Sequence, residues 1–182
     1  MRAYALLWGA VLLGGTAAIG HAQGLQTGTR TVPAMFVAYE GNTSPTPGAR
    51  QEIEAAFGRL WMRCHASGLH PIGLPIVCLD LGTLPNGEAK WEAWVPLADA
   101  LTADQLPQLP DLTLKFVPAT PVAYTYYQGN PWEMGNIFAD LGAWAGNHNV
   151  SVTTRARAIF YAGPFGKEPQ DIITECQLEQ QP

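Results

Sequence analysis

The fold is decided by a stretch that occurs twice: Val32-Pro33-Ala34-Met35-Phe36-Val37-Ala38-Tyr39 returns as Val117-Pro118-Ala119-Thr120-Pro121-Val122-Ala123-Tyr124. Both copies share the frame Val-Pro-Ala-x-x-Val-Ala-Tyr, and the run of apolar and β-branched residues after the proline favours a strand. The copies start 85 positions apart (117 − 32). A recurrence of this length predicts an internal duplication.

The residues after each copy predict one helix per half. Apolar residues recur at helical spacing in both halves: Ile53, Phe57, Leu60 and Cys64, then Met134, Phe138, Leu141 and Ala145. The second helix is expected to begin with Asn130 as N-cap and Pro131 at the first helical position. Both helices are expected to end at residues that tolerate positive φ, Gly68 and Asn149.

Two further strands are predicted after each helix, at residues 75–79 and 90–97 in the first half and 156–162 and 172–178 in the second. Each half then reads β-α-β-β. We therefore predict an α+β protein in which two such units, antiparallel-rich sheets with one main helix each, flank a central cleft. The predicted domain covers residues 31–182, with repeats at 31–97 and 114–180 and a linker at 98–113.

The last predicted strand carries an acid in an alternating pattern. Its two faces are Ile172, Thr174, Cys176 and Leu178 on one side, and Ile173, Glu175 and Gln177 on the other. An exposed edge strand would leave Glu175 solvated, whereas burial among aromatic residues would require a cationic or hydrogen-bonding partner. Glu92 occupies the corresponding place in the first half, on the same predicted face as Trp94.

The N-terminal residues have the pattern of a secretory signal peptide. Arg2 is followed by an uncharged apolar run and then by the small-x-small sequence Gly20-His21-Ala22. We expect cleavage after Ala22, a flexible lead-in at residues 23–30, no stable membrane anchor after cleavage, and a periplasmic or secreted protein. A membrane anchor is the alternative, but this Gly-rich run is shorter than the roughly 20 strongly apolar residues of a membrane span.

The net charge and the spacing of possible metal ligands limit the functions that we expect of this protein. The formal net charge is −5, so no nucleic-acid partner is expected, because the chain offers no basic surface to neutralise phosphates. The histidines after Ala22 lack the spacing of metal ligands, so we expect no metal and no cofactor. Arg155 and Arg157 are interpreted as a solvated strand face. For the cysteines, a Cys64–Cys78 bridge and three buried free thiols, with Cys176 the third, both remain open.

The order and doubling of these elements resemble the GyrI-like effector-binding domain, the ligand-binding half of multidrug-responsive transcription activators, which also occurs in stand-alone relatives. The likeness rests on the second strand copy, on the turn Gln128 to Glu133, on Phe138-x-x-Leu141-x-x-Trp144, and on Thr174-Glu175. The resemblance implies a cleft between the halves, lined by aromatic residues, with Glu175 facing it. The regulators' DNA-binding segment has no counterpart between Ala22 and Val32, so this chain is interpreted as an exported stand-alone member.

The candidate ligand-binding residues are Glu175, Tyr161, Tyr126, Tyr124, Trp94, Tyr39 and Trp132. Aromatic faces bind flat or cationic ligands by stacking and cation–π contact, and a buried carboxylate attracts cations and hydrogen-bond donors. Core packing is the alternative role for each aromatic residue.

We expect a small-molecule-binding protein without catalytic activity, whose ligand is flat and either apolar or cationic. One alternative is a hydrolase of reactive small molecules, in which Glu175 acts as general acid or base beside Tyr161 or Tyr126. The other is a protein-interaction module of the cell envelope.

Overall fold

In the computed structural model of the protein, residues 26–82, 88–98, 112–161 and 171–182 are described, and they form an α+β fold. Eight antiparallel strands make one curled, half-barrel sheet, and two helices pack against it. The strands are β1 (Gly28–Val32), β2 (Met35–Pro45), β3 (Ile76–Asp80), β4 (Glu88–Leu97), β5 (Thr113–Val117), β6 (Thr120–Gln128), β7 (Val152–Phe160) and β8 (Ile173–Gln180). The helices are α1 (Thr46–Ala66) and α2 (Gly135–Asn147).

The strand order across the sheet is β1-β6-β8-β7-β3-β4-β2-β5. Helix α1 packs on β2 and β4, and α2 packs on β6, β7 and β8. The main core lies between the helices and the sheet and includes Phe57, Leu60, Phe138, Leu141 and Phe160. The opposite surface, here called the helix-free face, carries a smaller apolar cluster of Val37, Ile76, Trp94 and Val117. The candidate site residues therefore have to be placed on one of two distinct faces.

The predicted helix ends are confirmed, and the predicted start of the second helix is modified. Gly68 has φ 70° and Asn149 has φ 59°, so each provides the left-handed residue that ends its helix. Asn130 accepts a hydrogen bond from the backbone N–H of Trp132 at 3.2 Å, but this cap opens a short 3-10 turn, Pro131–Glu133. Met134 then has ψ −1°, which interrupts the helical path before α2 begins.

The N-terminal boundary differs from the prediction. Residues Gly28 to Arg30 were expected in a flexible lead-in, but they belong to β1, which pairs with β6 from Gly28 opposite Tyr124 to Val32 opposite Thr120. This pairing satisfies backbone groups that would otherwise be exposed along the edge of β6. The predicted signal peptide and linker residues 99–111 lie outside the described residues. Within the described part of the chain, no helix is long and apolar enough to span a membrane.

The three cysteines form no disulfide bond with one another. Cys64 lies in the core beneath the helices, whereas Cys78 packs with the cluster on the helix-free face, so the two thiols lie on opposite sides of the sheet. The bridge between Cys64 and Cys78, one of the two alternatives, is therefore not formed. Cys176 is buried on the helix side, with its Sγ 3.5 Å from Met134 Sδ.

Candidate functional site

Glu175 lies in the middle of β8 and is 0 % exposed, on the helix-free face. Its Oε1 accepts hydrogen bonds from Arg30 Nη2 at 2.5 Å and from Gln177 Nε2 at 2.7 Å, and its Oε2 accepts from the Tyr161 hydroxyl at 2.8 Å. Burial of a carboxylate is costly unless charge and hydrogen-bond partners replace water. Among the described residues, Glu175 has one cationic and two neutral hydrogen-bond donors. Of the two alternatives for this acid, solvated on an exposed strand or buried with partners, the second is therefore correct.

Three tyrosine rings form a row beside this carboxylate. The Tyr124 and Tyr126 rings are 5.8 Å apart, as are the Tyr126 and Tyr161 rings, and both pairs are closer to perpendicular than to parallel, at 77° and 66°. The Arg30 guanidinium carbon lies 5.0 Å from the centre of the Tyr124 ring, a cation–π contact. We call Glu175, Arg30, Gln177 and the three tyrosines the Glu175 cluster.

The electrostatics of the Glu175 cluster favour a charged Arg30 and a neutral Tyr161. Burial raises the pKa of Tyr161, and the hydrogen bond to Glu175 and the charge of that carboxylate add to the effect, giving a pKa of about 12. Desolvation opposes the charged form of Arg30, but the nearby Glu175 outweighs it and raises the Arg30 pKa. Arg30 and Tyr161 therefore both keep their protons across the physiological pH range.

A second cluster of the same chemical kind surrounds Glu92 on the helix-free face. Glu92 Oε2 accepts hydrogen bonds from Lys115 Nζ and from Trp94 Nε1, the latter at 2.7 Å. Lys115 Nζ lies 4.2 Å from the ring centres of both Tyr39 and Trp94. Desolvation would raise the pKa of Glu92, but the hydrogen bonds from Lys115 and Trp94 outweigh it and lower that pKa. We call these four residues the Glu92 cluster.

The seven sequence-predicted site residues thus fall into three places. Glu175 and the three tyrosines 124, 126 and 161 lie together, whereas Tyr39 and Trp94 lie in the Glu92 cluster, separated from Glu175 by β7 and β3. Trp132 lies on the helix-covered face, where its ring is 6.4 Å from the Phe160 ring and 5.5 Å from the Arg50 guanidinium. Trp132 is therefore remote from both carboxylates.

The helix-free face also carries an open cleft of about 360 Å³ beside the Glu92 cluster. Its walls come mainly from β3, β4, β5 and β7, with Thr120 of β6 and Glu179 of β8. They include Cys78, Glu92, Trp94, Lys115, Arg155 and Arg157. Neither Glu175 nor its three tyrosines line this cleft. The space in front of Glu175 is occupied instead by the side chain of Arg30.

The interpretation of Arg155 and Arg157 as a solvated strand face is wrong for Arg157. This residue is only 3 % exposed, and it donates to Glu179 Oε1 from Nε at 3.2 Å and from Nη2 at 2.5 Å. Strand β7 is an inner strand between β3 and β8, so a central side chain on its helix-free face is covered by neighbouring strands. Arg155, nearer the end of the paired segment, is exposed as expected.

Sequence reasoning missed the two cations, Arg30 and Lys115. Each stands two residues before the first valine of the repeated frame, as Arg30-Thr31-Val32 and Lys115-Phe116-Val117. Extending the repeat backwards by two residues would have revealed a basic residue in both copies. The pairing of Arg30 with Glu175 could not have been found this way, because the two residues are 145 positions apart.

Among the described residues, no group of three or more histidine, cysteine, aspartate or glutamate side chains is arranged to hold a metal ion.

Comparison with known proteins gives a fold but no sequence family. The sequence matches no protein-family model and has no significant match to a curated protein. Its structure superposes on the crystal structure of the EcmrR C-terminal domain with a TM-score of 0.70 at 14 % identity, covering 86 % of this chain and 98 % of that domain. Against EcmrR in its cryo-EM complex with DNA, the TM-score is also 0.70 at 15 % identity, and the match spans only 57 % of the EcmrR chain.

Two other solved structures share the fold. A hydrolase from Listeria innocua matches with a TM-score of 0.60 at 10 % identity, over 86 % of this chain and 92 % of that one. SAV2435, solved with bound tetraphenylphosphonium, matches with a TM-score of 0.51 at 11 % identity, over 86 % of this chain and 94 % of that one. The protein therefore has the fold of the EcmrR C-terminal domain, a fold that also occurs in a ligand-bound protein.

Proposed function

We propose that this chain is a small-molecule-binding protein of the GyrI-like effector-binding type, and that its Glu175 cluster binds flat organic monocations. The observation that carries the proposal is the position of Arg30, whose guanidinium pairs with the buried Glu175 and lies over Tyr124. A guanidinium is itself a flat, delocalised cation. The cluster thus already accommodates this class of group, supplied by its own chain.

A ligand can displace the Arg30 side chain from Glu175 without unfolding the sheet. Arg30 lies on β1, a five-residue edge strand whose one partner among the described strands is β6, and its side chain is 38 % exposed. Rotation of that side chain into water would leave the backbone pairs of β1 intact. A ligand that brought one positive charge and a larger flat apolar body would keep the contact with Glu175 and add stacking on Tyr124, Tyr126 and Tyr161.

The fold comparisons support this assignment at the level of ligand class. SAV2435 was solved with tetraphenylphosphonium, an organic cation, and it shares the fold of this chain. EcmrR was solved with DNA, but our chain corresponds to 57 % of its length, and an acidic chain of net charge −5 is poorly suited to bind phosphates. Export to the periplasm or the cell exterior remains part of the proposal, on the evidence of the N-terminal sequence.

We further propose that the fold arose by duplication of a β-α-β-β unit. The central strand order β6-β8-β7-β3-β4-β2 supports this, because β2 precedes α1 and β3 and β4 follow it, as β6 precedes α2 and β7 and β8 follow it. The Glu92 and Glu175 clusters support it too, since each combines an acid, an aromatic ring and a cation.

Binding of rhodamine 6G, a flat cationic dye, tests the proposed function by fluorescence anisotropy. Removing the competing cation in Arg30→Gln is expected to tighten binding about tenfold, and Glu175→Gln is expected to weaken it about tenfold or more, each about 1.4 kcal/mol. Arg63→Gln, on the exposed surface of α1, is the matched control and should bind as the wild type does. Fluorescein, a flat anionic dye, should not compete.

The proposal is wrong if neither the wild type nor Arg30→Gln binds rhodamine 6G saturably, or if fluorescein displaces bound rhodamine 6G. The hydrolase alternative is favoured by the fold match to the Listeria innocua hydrolase. It requires turnover of a reactive substrate, such as an epoxide, that is lost in Glu175→Gln. Because both oxygens of Glu175 already accept hydrogen bonds, the geometry favours binding over proton transfer. A persistent dimer without dye binding would favour the interaction module instead.

A further inference from the structure

The open cleft on the helix-free face is chemically distinct from the Glu175 cluster. It has a volume of about 360 Å³, within the range of small-molecule sites, which is roughly 300–1,000 Å³. Apolar surface from Trp94, Val117 and Pro118 contributes to its walls, together with charged side chains of both signs. The cleft can therefore accept a ligand with an apolar body and one polar group.

Arg157 supplies an unsatisfied donor in this cleft. The residue is 3 % exposed, and its Nε and Nη2 are engaged by Glu179 and Thr120, the Thr120 contact being 3.3 Å. Its guanidinium carbon lies 5.2 Å from the centre of the Trp94 ring. The remaining nitrogen, Nη1, has no hydrogen-bond partner among the described residues and is itself covered, so a ligand reaches it when the Arg157 side chain shifts towards the cleft. A buried donor without an acceptor is costly, so an acceptor placed there is bound favourably.

The acids that line the cleft are already engaged. Glu92 accepts hydrogen bonds from Lys115 and Trp94, and Glu179 accepts hydrogen bonds from Arg157 and lies 4.0 Å from Arg155. The third acid, Asp80, accepts from the Gly82 N–H and the Thr154 hydroxyl, each at 3.0 Å. These partners leave donors, rather than acceptors, available to a ligand.

The net charge of the residues that line the cleft also favours an anionic ligand. Four basic residues line it, Lys90, Lys115, Arg155 and Arg157, against the three acids. This excess of one positive charge stands in a protein whose formal net charge is −5. A local positive excess in a partly enclosed cleft attracts anions, because low-dielectric walls focus the field.

We propose that this cleft binds a small aromatic carboxylate. One carboxylate oxygen accepts the free N–H of Arg157 Nη1, and the ring lies against the apolar wall that Trp94 and Val117 provide. Lys90 and Arg155, both exposed at the rim, attract the anion electrostatically. The site adjoins the Glu175 cluster, because Arg157 on β7 lies opposite Gln177 on β8, but it uses a different charged group. The protein would thus carry a cation site and an anion site on the same face of its sheet.

Isothermal titration calorimetry with 2-naphthoate tests this proposal. The wild type is expected to bind one 2-naphthoate per chain, and Arg157→Lys, which keeps the charge beside Glu179 but loses the planar fork of donors, is expected to bind about tenfold more weakly. The double variant Lys90→Gln/Arg155→Gln changes only exposed side chains; it should fold normally and bind about two- to fivefold more weakly at low salt. Arg63→Gln is the control and should bind as the wild type does.

Three results would overturn the proposal: no saturable 2-naphthoate binding by the wild type, equal affinity in the wild type and Arg157→Lys, or equal affinity for the uncharged analogue 2-naphthamide. The rhodamine 6G titration separates this test from that of the Glu175 cluster. Arg157→Lys should leave rhodamine 6G affinity within about twofold of the wild type, and Glu175→Gln should leave 2-naphthoate affinity within the same margin. Each of the two proposed sites can therefore be disproved without disproving the other.

Discussion

A fully buried carboxylate such as Glu175 can remain charged only where donors replace its lost water, and each of its donors comes from a different part of the chain. Gln177 is its neighbour on the same face of β8, Tyr161 follows β7, and Arg30 lies on β1. The first of these positions could be predicted from alternation alone. The position of Arg30 could not, because it depends on which strand covers the edge of β6.

The pKa of Tyr161 depends in part on the negative charge of the Glu175 carboxylate. Because its folded-state pKa, about 12, lies above the ordinary value of 10, the neutral phenol is favoured by folding. The corresponding stabilisation is fully present below pH 10 and is lost as the pH rises towards 12. In Glu175→Gln the Tyr161 pKa should fall towards 10, yet stay above it, because burial remains the largest cause of the shift.

Carbon-13 NMR of ζ-labelled tyrosine measures this pKa directly, and Tyr161→Phe assigns the signal. Titration of Tyr161 near 10 in the wild type would show that it does not donate to a charged, buried acid. An unchanged pKa in Glu175→Gln would show that burial alone raises it.

At the scale of elements, the sequence predicted those whose signals are local. The positions of α1 and α2 follow from apolar spacing and from the residues that end them, Gly68 and Asn149. Strand β1 was missed because it is a short edge strand of Gly, Thr and Arg with no apolar alternation, stabilised by pairing with a distant part of the chain. The interruption at Met134 before α2 has no evident signal in the sequence.

Two glycines, one inside α1 and one just after its end, predict stability changes of opposite sign. Gly58 lies in the exposed interior of α1 with nothing within 4 Å of an added Cβ, so Gly58→Ala should stabilise the protein by about 1 kcal/mol through helix propensity. Gly68 is equally open but has φ 70°, so Gly68→Ala should destabilise it by about 1–2 kcal/mol.

Urea denaturation of the two alanine variants measures both changes. Asn149→Gly is a useful companion, because glycine suits the φ of 59° at the end of α2 and should be neutral or stabilising. Changes of the same sign in Gly58→Ala and Gly68→Ala would contradict the assigned end of α1.

At the scale of the whole molecule, both edge strands pair with strands that are distant along the chain, an arrangement that we call strand exchange. Strand β1, which precedes the first predicted repeat helix, pairs with β6, whereas β5, which precedes β6, pairs with β2. Each acid therefore receives its cation from an edge strand: Glu175 from Arg30 on β1, and Glu92 from Lys115 on β5. The sequence predicted two similar units and an acid in each, but strand exchange depends on long-range pairing that no local pattern specifies.

This arrangement places a competing cation directly on the proposed site. Ligand affinity is then the difference between two contacts of Glu175, one with the ligand and one with Arg30. The segment that carries Arg30 is a single edge strand, so the competition can be altered without rebuilding the core.

The most direct test of the central claim follows the Arg30 side chain while rhodamine 6G is added. Nitrogen-15 NMR of labelled arginine resolves the Nε–H signals, and Arg30→Gln assigns the one of interest. We predict that at saturation the Arg30 signal moves to the position of a solvated arginine, while the Arg63 signal stays where it was. A dye that saturates the protein and leaves the Arg30 signal unchanged would contradict binding at Glu175.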